Sequence, residues 1–417
     1  MLTSMLDEDT DPRKNGYAAG AVPQNVCSTL VSVCVHWVTT SADAVPPADQ
    51  TPANSRPDQV DDTLAVLETV LDTYTDLGFR SPKSDVTSLS AGANPNGFLD
   101  VYLADLGSEV FGKCASDDPN KGNLGTALYQ YYDVSAYCVL DNDLERSILE
   151  VTAAHEVFHA LQYAYDYLED LWFMEGTAVA MEDVVFDDAN DNLRYLTGAS
   201  PLTDSHKSID YGDPADPRFA YGSWIFWRFL TEYYYVDEPS GGPDPAVIRL
   251  VWEQADAAQP APGAPEPPDL FSMQAAESVG GDVFKDAFSF FGAYNLAPSD
   301  FYEEGTSYPS APINLPGKTV SKAKPSLKMT AGLPHMTNHT IEINLGKGVT
   351  RSAKLKVAIN GPANTAGPRA TVVVDPVDPE KLNTYTAVTL NAKGDGSATV
   401  NFGKGKIYRV VVVLTNA

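Results

Sequence analysis

The segment His155-Glu156-Val157-Phe158-His159 contains the residues with the clearest capacity for chemistry. On a helix, positions i and i+4 lie on the same face, so both imidazoles can reach one metal ion. Glu156 is then placed to take a proton from a water molecule that zinc activates. The chain has six histidines in all, which makes this pattern specific; the alternative interpretation is a pair of ordinary core histidines.

A third ligand is expected from the segment 172–178, which begins a second apolar helix. Glu175 lies sixteen residues after His159 and offers the carboxylate of a two-histidine, one-glutamate site. Such a set leaves a fourth coordination position open to water, whereas a closed structural site needs a fourth protein ligand. No such ligand is obvious in the sequence, so the pattern predicts a catalytic zinc centre.

Several helices and strands must position these residues. Apolar residues surround the predicted helix 143–167 on nearly every side, which is typical of a helix inside a domain. Another predicted helix has Asp61 or Asp62 as its cap and Gly78 at its end. Further helices are predicted over 171–184, 219–235 and 282–295, and strands within 25–40, over 98–106 and over 127–140 as a strand or hairpin.

The character of the chain changes after about residue 318. Short runs rich in β-branched residues, such as ATVVVD and YRVVVVLTN, are separated by Gly, Pro and Asn turns. This pattern is typical of a small all-β sandwich. The sequence therefore predicts a flexible N-terminal segment over 1–24, a catalytic domain over 25–318 and a β-sandwich domain over 319–417.

The overall charge restricts the possible partners. Among 417 residues, 56 are acidic and 28 are basic, which gives a formal net charge of −28. Such a field repels nucleic acid and anionic membranes, so we expect neither as a partner. No apolar run approaches the roughly 18 residues needed to cross a bilayer, and we expect no membrane insertion.

The four cysteines indicate two disulfides formed in an oxidising compartment, because none belongs to a CxxC pair. Four cysteines allow three pairings. We expect Cys27 to pair with Cys34 and Cys114 with Cys138, since the members of each pair lie close in sequence. No signal peptide is visible at the start of the chain.

The motifs HEVFH and WFMEGTA together resemble the gluzincin pattern, in which a Trp-x-x-Glu-Gly-x-Ala segment supplies the third zinc ligand. With YCVLDND, VTAAHEVFHALQYAYD, WFMEGTAVAMEDVVFDD and YGSWIFWRFL, the chain resembles a family of secreted bacterial zinc metallopeptidases over roughly 25–310 and in its β-rich tail. The resemblance implies an α+β, zincin-like catalytic domain followed by the all-β sandwich. It also implies an extracellular location and an edge strand, placed at 127–140, that pairs with an extended peptide.

Supporting roles follow from the needs of such a centre. A zinc-bound imidazole usually donates its other N–H to a carboxylate or carbonyl, and Glu182 is the first choice here, with Asp183 the second. The oxyanion of the intermediate needs a donor. Tyr221 takes that role by resemblance, with Tyr211 and His206 as alternatives.

Other polar features have simpler interpretations. The loops 141–143 and 187–191 are oxygen-rich and could hold calcium, although helix caps explain their Asp and Asn residues equally well. His335 and His339 are expected at the surface, and Asn338 begins a glycosylation sequon.

Three functions remain open at this stage. The first is zinc-dependent hydrolysis of a protein or peptide substrate, with Glu156 as general base. The second is a catalytically inactive, zincin-like surface or binding protein. A zinc hydrolase acting on another kind of bond shares the same site. The sequence indicates neither the cleavage specificity nor the oligomeric state.

Overall fold

The structure is a computed structural model of the 417-residue chain. It describes residue 17 and residues 21–50, 52–86, 97–211, 217–234, 243–378 and 380–417. The predicted flexible segment 1–24 lies largely outside the described residues, although a strand begins at Gln24.

The chain divides into two compact units. The first contains the described residues up to Asn192, with Pro217 and Pro245–Val279. The second contains the described residues of 193–213, 218–244 and 280–417. Each unit mixes helices with sheet.

The first unit is built on a five-stranded sheet in the order β1-β2-β3-β5-β4. Its strands are β1 (Gln24–Cys27), β2 (Val33–Trp37), β3 (Leu99–Ala104), β4 (Gly112–Ala115) and β5 (Tyr137–Asp141). Strands β2, β3 and β5 run parallel, while β1 and β4 are antiparallel to their neighbours. The three parallel strands are apolar and largely buried, as expected for strands covered on both faces.

The predicted strand over 127–140 is wrong in extent and in position. Only its last residues belong to β5, and β5 lies between β3 and β4 rather than at an edge of the sheet. The edge is formed by β4, which had not been predicted. Residues 127–136 instead form a loop, in which Tyr129 and Tyr131 have an edge-to-face ring contact. The aromatic residues that suggested a strand here therefore pack against each other within a loop.

The helices of the first unit are α1 (Asp58–Asp76), α2 (Arg146–Gln162), α3 (Leu171–Val185), α6 (Ala246–Gln254) and α7 (Ser272–Gly280). The last residue of α7, Gly280, belongs to the second unit. Helix α1 packs on β2, and α2 packs on β4 and β5. Helix α1 begins at Asp58, three residues before the predicted cap Asp61 and four before Asp62, and Gly78 follows its end with a φ of 82°. Helix α2 is shorter than predicted at both ends.

Both predicted disulfides are present in the first unit. Cys27 is bonded to Cys34 across the antiparallel pair β1 and β2, and Cys114 to Cys138 across β4 and β5. Each pair faces its partner directly in the strand register. The second disulfide therefore ties the edge strand β4 to the interior of the sheet.

The second unit contains α4 (Arg218–Gly222), α5 (Trp224–Tyr233) and α8 (Phe284–Tyr294). The predicted helix 219–235 is therefore broken at Ser223, whose hydroxyl donates to the carbonyl oxygen of Ala220 at 2.6 Å. A side chain that bonds to the backbone of the preceding turn competes with regular helix, and a break there is expected.

Two sheets form the β-rich part of the second unit. The larger has the order β10-β9-β12-β7-β6 and the smaller pairs β11 with β8. The strands are β6 (Leu315–Val320), β7 (Thr337–Leu345), β8 (Lys354–Asn360), β9 (Pro368–Pro376), β10 (Thr384–Ala387), β11 (Asp395–Asn401) and β12 (Ile407–Asn416).

Apolar side chains from both sheets share one core. Val372 and Val410 of the larger sheet are fully buried in it, and Val400 of the smaller sheet is 8% exposed. Helix α8 covers the other face of the larger sheet, where Ala293 meets Val411. The arrangement is a β-sandwich with one covered outer face.

The predicted boundary between residues 318 and 319 falls inside β6. As a division between folding units it stays a prediction. Among the residues that the structure describes, no helix is both long enough and apolar enough to span a membrane.

Candidate metal centre

Helix α2 presents two imidazoles on one face. The Nε2 atoms of His155 and His159 lie 3.1 Å apart, and the rings meet edge to face. Both side chains are buried, with exposed fractions of 7% and 4%. This matches the i, i+4 geometry predicted for two ligands of one ion.

Helix α3 supplies a carboxylate to the same point. Glu175 Oε2 lies 3.2 Å from His155 Nε2 and 3.6 Å from His159 Nε2, and the residue is 1% exposed. A tetrahedral zinc ion with bonds of about 2.0–2.1 Å places its ligand atoms roughly 3.3–3.4 Å apart. The separations of these three atoms bracket that value, so the donor set fits zinc without rearrangement.

The other nitrogen of each imidazole has a partner that fixes its tautomer. His155 Nδ1 lies 2.7 Å from Glu182 Oε1, and His159 Nδ1 lies 2.7 Å from the side-chain oxygen of Gln162. A carboxylate only accepts, so His155 Nδ1 carries a proton. Glu182, the first choice for this role, therefore contacts His155 as predicted.

The orientation of Gln162 follows from its own hydrogen bonds. Its amide nitrogen donates to the carbonyl oxygen of Met174 at 2.8 Å and to the hydroxyl of Thr177 at 2.9 Å. Its amide oxygen must then accept, and His159 Nδ1 must donate. When the two imidazoles are neutral, each Nε2 therefore has a lone pair directed at the site, which is the form of histidine that binds metals.

The electrostatics of the site favour a cation between these side chains. Burial alone would lower the pKa of His155, yet the neighbouring carboxylates of Glu175 and Glu182 raise it well above its ordinary value. The imidazoles of His159 and His155 likewise hold the pKa of Glu175 well below its ordinary value, against the effect of burial. Two nitrogen lone pairs and a carboxylate oxygen converging in a buried space repel one another unless positive charge lies among them.

Glu156 lies beside the two histidines and beneath the edge strand. Burial raises the pKa of its carboxyl group, while the neighbouring imidazoles and a hydrogen bond from the Cys114 backbone act in the opposite direction. A Cβ atom on Gly112 would come within 2.7 Å of Glu156 Cγ. Only glycine fits at that position of β4, so the strand passes directly over the carboxylate.

Strand β4 is tied to α2 by a second contact. The hydroxyl of Tyr163 donates to the Cys114 carbonyl oxygen at 3.4 Å, and its ring lies 6.4 Å from that of His159. Tyr163 follows His159 by four residues and is fully buried. Sequence reasoning missed Tyr163 and Gln162; a buried polar residue at i+3 or i+4 from a ligand histidine was the available signal.

The connector between α2 and α3 sets the spacing of the ligands. Both carboxylate oxygens of Glu169 accept from the backbone N–H of Ser272, at 2.9 and 3.1 Å, and the Ser272 hydroxyl donates to Asp170 at 2.7 Å. Burial raises the pKa of Glu169 to about 8 and that of Asp166 to about 7. The short turn is thereby fastened to the start of α7.

The predicted oxyanion donors lie in the second unit. Tyr221 stacks on Tyr195 with ring centroids 5.1 Å apart, Tyr211 is exposed, and His206 has an edge contact with His339. The role of Tyr221 in the reaction stays a prediction. Asp183, the alternative to Glu182, accepts a hydrogen bond from Asn192 at 2.8 Å.

The predicted calcium loops have local structural explanations. One carboxylate oxygen of Asp141 accepts from the N–H groups of Leu106 and Asn142, each at 3.0 Å. In the loop 187–191, Asn190 adopts a left-handed φ of 52° and donates to the Asp187 carbonyl oxygen. Calcium binding at either loop stays a prediction.

The structure also locates His335, His339 and the sequon residue Asn338. His335 is exposed as predicted and lies 3.4 Å from Asp210. His339 is wrongly placed at the surface: it is half-buried, and burial together with His206 lowers its pKa. Asn338 is 2% exposed and accepts from the Thr415 hydroxyl at 2.6 Å, so its sequon is not accessible for glycosylation.

A cavity of about 640 Å³ lies elsewhere in the first unit, lined in part by Arg80, Lys83 and Asp133. None of the three convergent residues lines it. It is separate from the candidate metal centre.

Comparison with known proteins does not identify a family for this chain. A scan against models of protein families finds no match, and a search of curated proteins finds none of significant similarity. The resemblance to gluzincins therefore rests on the motifs themselves and on the convergence of His155, His159 and Glu175.

Proposed function

We propose that this protein is a zinc-dependent metallopeptidase, with His155, His159 and Glu175 as ligands and Glu156 as general base. The observation that carries the proposal is the convergence of three ligand atoms within 3.1–3.6 Å of one another in a buried site. Among the described residues no fourth His, Cys, Asp or Glu joins the group. That leaves a coordination position for the reacting molecules, as in catalytic sites.

The chain's own residues supply the proton transfers. His155, His159 and Glu175 would hold the zinc ion, which would supply Lewis acidity at the attacking water and the scissile carbonyl. The Glu156 carboxylate accepts the proton of that water and then delivers it to the departing amine.

Substrate alignment is assigned to β4 rather than to the predicted segment 127–140. The N–H of Asp141 donates to the Phe111 carbonyl oxygen, so Phe111 directs its backbone oxygen into the sheet. The neighbouring Gly112 then directs its backbone groups towards the open edge, since the two kinds of position alternate along an antiparallel strand. An extended peptide paired there lies next to Glu156.

Two partners hold the ligands in the required state. Glu182 keeps the proton of His155 on Nδ1, and Gln162 does the same for His159. Tyr221 remains the proposed oxyanion donor, on the resemblance alone. Replacement of its hydroxyl in Tyr221→Phe is expected to lower kcat with little change in KM if it acts in the transition state.

Extracellular location is proposed on the two disulfides, which form and persist in oxidising compartments. Substrate screening identifies the biological substrate and the preferred bond. It also distinguishes a peptidase from a zinc hydrolase acting on another bond.

The decisive variant is Glu156→Gln. It keeps the size of the side chain and removes the base, so the protein is expected to retain one zinc per chain and to lose hydrolysis of unfolded casein and of a peptide library. Glu145→Gln, an exposed position at the start of the same helix, is the matched control and should behave as the wild type.

The second candidate function is an inactive zincin-like binding protein. It is favoured if the wild-type protein holds zinc but cleaves neither casein nor any member of the library. Retention of hydrolysis by Glu156→Gln would refute the proposed base.

A further inference from the structure

The charge of the chain is divided unevenly along its length. Residues 311–417 contain fourteen Lys and Arg and five Asp and Glu, a formal charge of +9, whereas residues 1–310 carry −37. The net value of −28 conceals this division. The β-sandwich is therefore a basic structure within a very acidic chain.

The basic residues concentrate at one end of the sandwich. Strands β6, β7, β9 and β11 all finish at this end, and β8 and β12 begin there, as the pairs Val320 with Leu345, Ile407 with Pro376 and Asn401 with Lys354 show. The loops at this end and the first residue of β8 carry seven exposed basic residues, which we call the basic end: Lys322, Lys324, Lys347, Arg351, Lys354, Lys404 and Lys406.

Backbone contacts hold these loops together. The N–H of Lys322 donates to the Lys347 carbonyl oxygen at 3.1 Å, and that of Lys404 donates to Thr350 at 3.2 Å. The N–H of Val377 donates to the Lys406 carbonyl oxygen at 3.1 Å. The basic residues thus lie on adjoining loops and form one surface.

The acids at this end do not neutralise the basic end. Asp375 is paired with Arg409 and Asp378 with Lys381, both at 3.2 Å, and Glu380 is a single further exposed acid in the same loop, against seven basic residues. Within the described part of the chain, none of the seven residues of the basic end has a side-chain ion pair. Clustered lysines without acidic partners repel one another, which favours an anionic partner.

Large apolar side chains are exposed at the same end. Leu382 and Tyr408 are each 71% exposed and Val377 is 51% exposed. Val377 follows β9, Leu382 lies in the same loop, and Tyr408 lies beside Lys406 at the start of β12. Apolar and aromatic side chains set among lysines are typical of surfaces that rest on a lipid headgroup region.

We propose that the basic end docks on the surface of an anionic phospholipid bilayer. Lysines approach the headgroup phosphates while Val377, Leu382 and Tyr408 enter the interfacial layer. A soluble anionic polymer would use the lysines but would leave the three apolar side chains without a role. Only acids within about 8–10 Å of the basic end oppose docking, because charges farther away are largely screened at physiological salt.

Binding of the full-length protein to sedimented vesicles tests this proposal. We expect binding to phosphatidylcholine vesicles that contain phosphatidylglycerol, none to phosphatidylcholine alone, and weakening as salt is raised. Each lysine near an anionic surface contributes about fivefold in affinity, so Lys347→Glu/Lys404→Glu is expected to bind at least about 25-fold more weakly. The matched control Lys328→Glu/Lys393→Glu has the same net charge outside the basic end and should bind as the wild type.

A second pair of measurements separates a bilayer from a soluble polyanion. Leu382→Ser/Tyr408→Ser is expected to weaken vesicle binding several-fold while leaving any binding to long-chain polyphosphate unchanged. The proposal is overturned if the wild type ignores anionic vesicles, if the control pair loses as much binding as the test pair, or if the apolar pair binds vesicles as the wild type does. Circular dichroism checks that every variant is folded.

Discussion

The first unit and the β-sandwich differ in the kinds of polar groups that they bury. The first unit buries many carboxylates, among them Asp85, Asp100, Asp118, Asp133, Asp141, Glu156, Asp166, Glu169, Glu175, Glu182 and Asp183. In the described part of the sandwich, the buried polar residues are uncharged: Thr337, Asn338, Thr340, Thr371 and Thr415. The sandwich keeps its charges on the surface, and most of those are basic.

The difference lies in the energetic cost of burying charge, which the first unit incurs and the described part of the sandwich does not. A buried carboxylate is stable only with a charged or hydrogen-bonding partner, and each such contact also fixes the position of a side chain. In the helix pair α2 and α3, those contacts determine the direction of the ligand lone pairs. In the sandwich, apolar packing does the stabilising, so the two regions should respond differently to the same kind of substitution.

We expect the largest difference between the two regions when a proposed zinc ligand is removed. His155→Ala is expected to abolish zinc binding and to lower hydrolysis at least about a thousandfold, beyond the 10–100-fold typical of losing a partner of a ligand. A chelator should lower the unfolding temperature of the wild type but leave that of His155→Ala unchanged. His335→Ala, a surface position, serves as control. Calorimetry with metal analysis measures both effects.

The buried acid Asp166 should make stability fall as pH rises. Burial, with Asp269, Asp256 and Asp133 nearby, raises its pKa to about 7 in the folded protein, against about 3.9 in the unfolded chain. The folded state then binds the proton more tightly, so this contribution is complete below about pH 4 and is lost as pH rises through 7.

Asp166→Asn cannot ionise and still accepts from the N–H of Leu168. Relative to the wild type, it should gain up to about 4 kcal/mol in free energy of unfolding between pH 4.5 and pH 8. Urea unfolding at several pH values measures the difference, and the exposed Asp188→Asn is the control. A constant difference across this range would contradict the assignment.

Loss of the amide that orients His159 should weaken metal binding without abolishing it. Gln162→Leu removes the acceptor for His159 Nδ1, and we expect zinc affinity to fall about 10–100-fold. Gln274→Leu, at an exposed position, should leave affinity unchanged. Competition with a chromogenic chelator gives both values; equal affinities for the two variants would show that Gln162 is a packing residue.

A cavity in the sandwich should lower stability without weakening zinc binding. Val372 is fully buried, and Val372→Ala is expected to lower the free energy of unfolding of the second unit by about 2 kcal/mol while zinc affinity stays the same. Denaturant unfolding and a zinc titration on the same sample test both parts. A change in zinc affinity would show that the two regions are not independent.

Local pattern was enough to predict that His155, His159 and Glu175 converge, but not the contacts that orient them. His155 and His159 share a helix face through spacing alone, and Glu175 follows at the start of the next helix. Gln162 acquires its role only when Met174 and Thr177 fix its amide, which is a tertiary contact that spacing does not contain.

One other expectation failed for a physical reason. The stretch 127–136 has strand-like composition but no pairing partner in the sheet, while the short strand β4, with the sequence GKCA, is paired through β5. The expected repulsion from anionic membranes stays a prediction; it rests on a sum over the chain, which cannot show that the two signs of charge are segregated.

The central claim is that His155, His159 and Glu175 hold one zinc ion. Anomalous diffraction at the zinc absorption edge, from crystals of the wild-type protein grown with zinc, tests it most directly. We expect one strong peak about 2.0–2.1 Å from Nε2 of both histidines and from a carboxylate oxygen of Glu175. A fully folded protein with no peak at this point, or with zinc bound only elsewhere, would contradict the account.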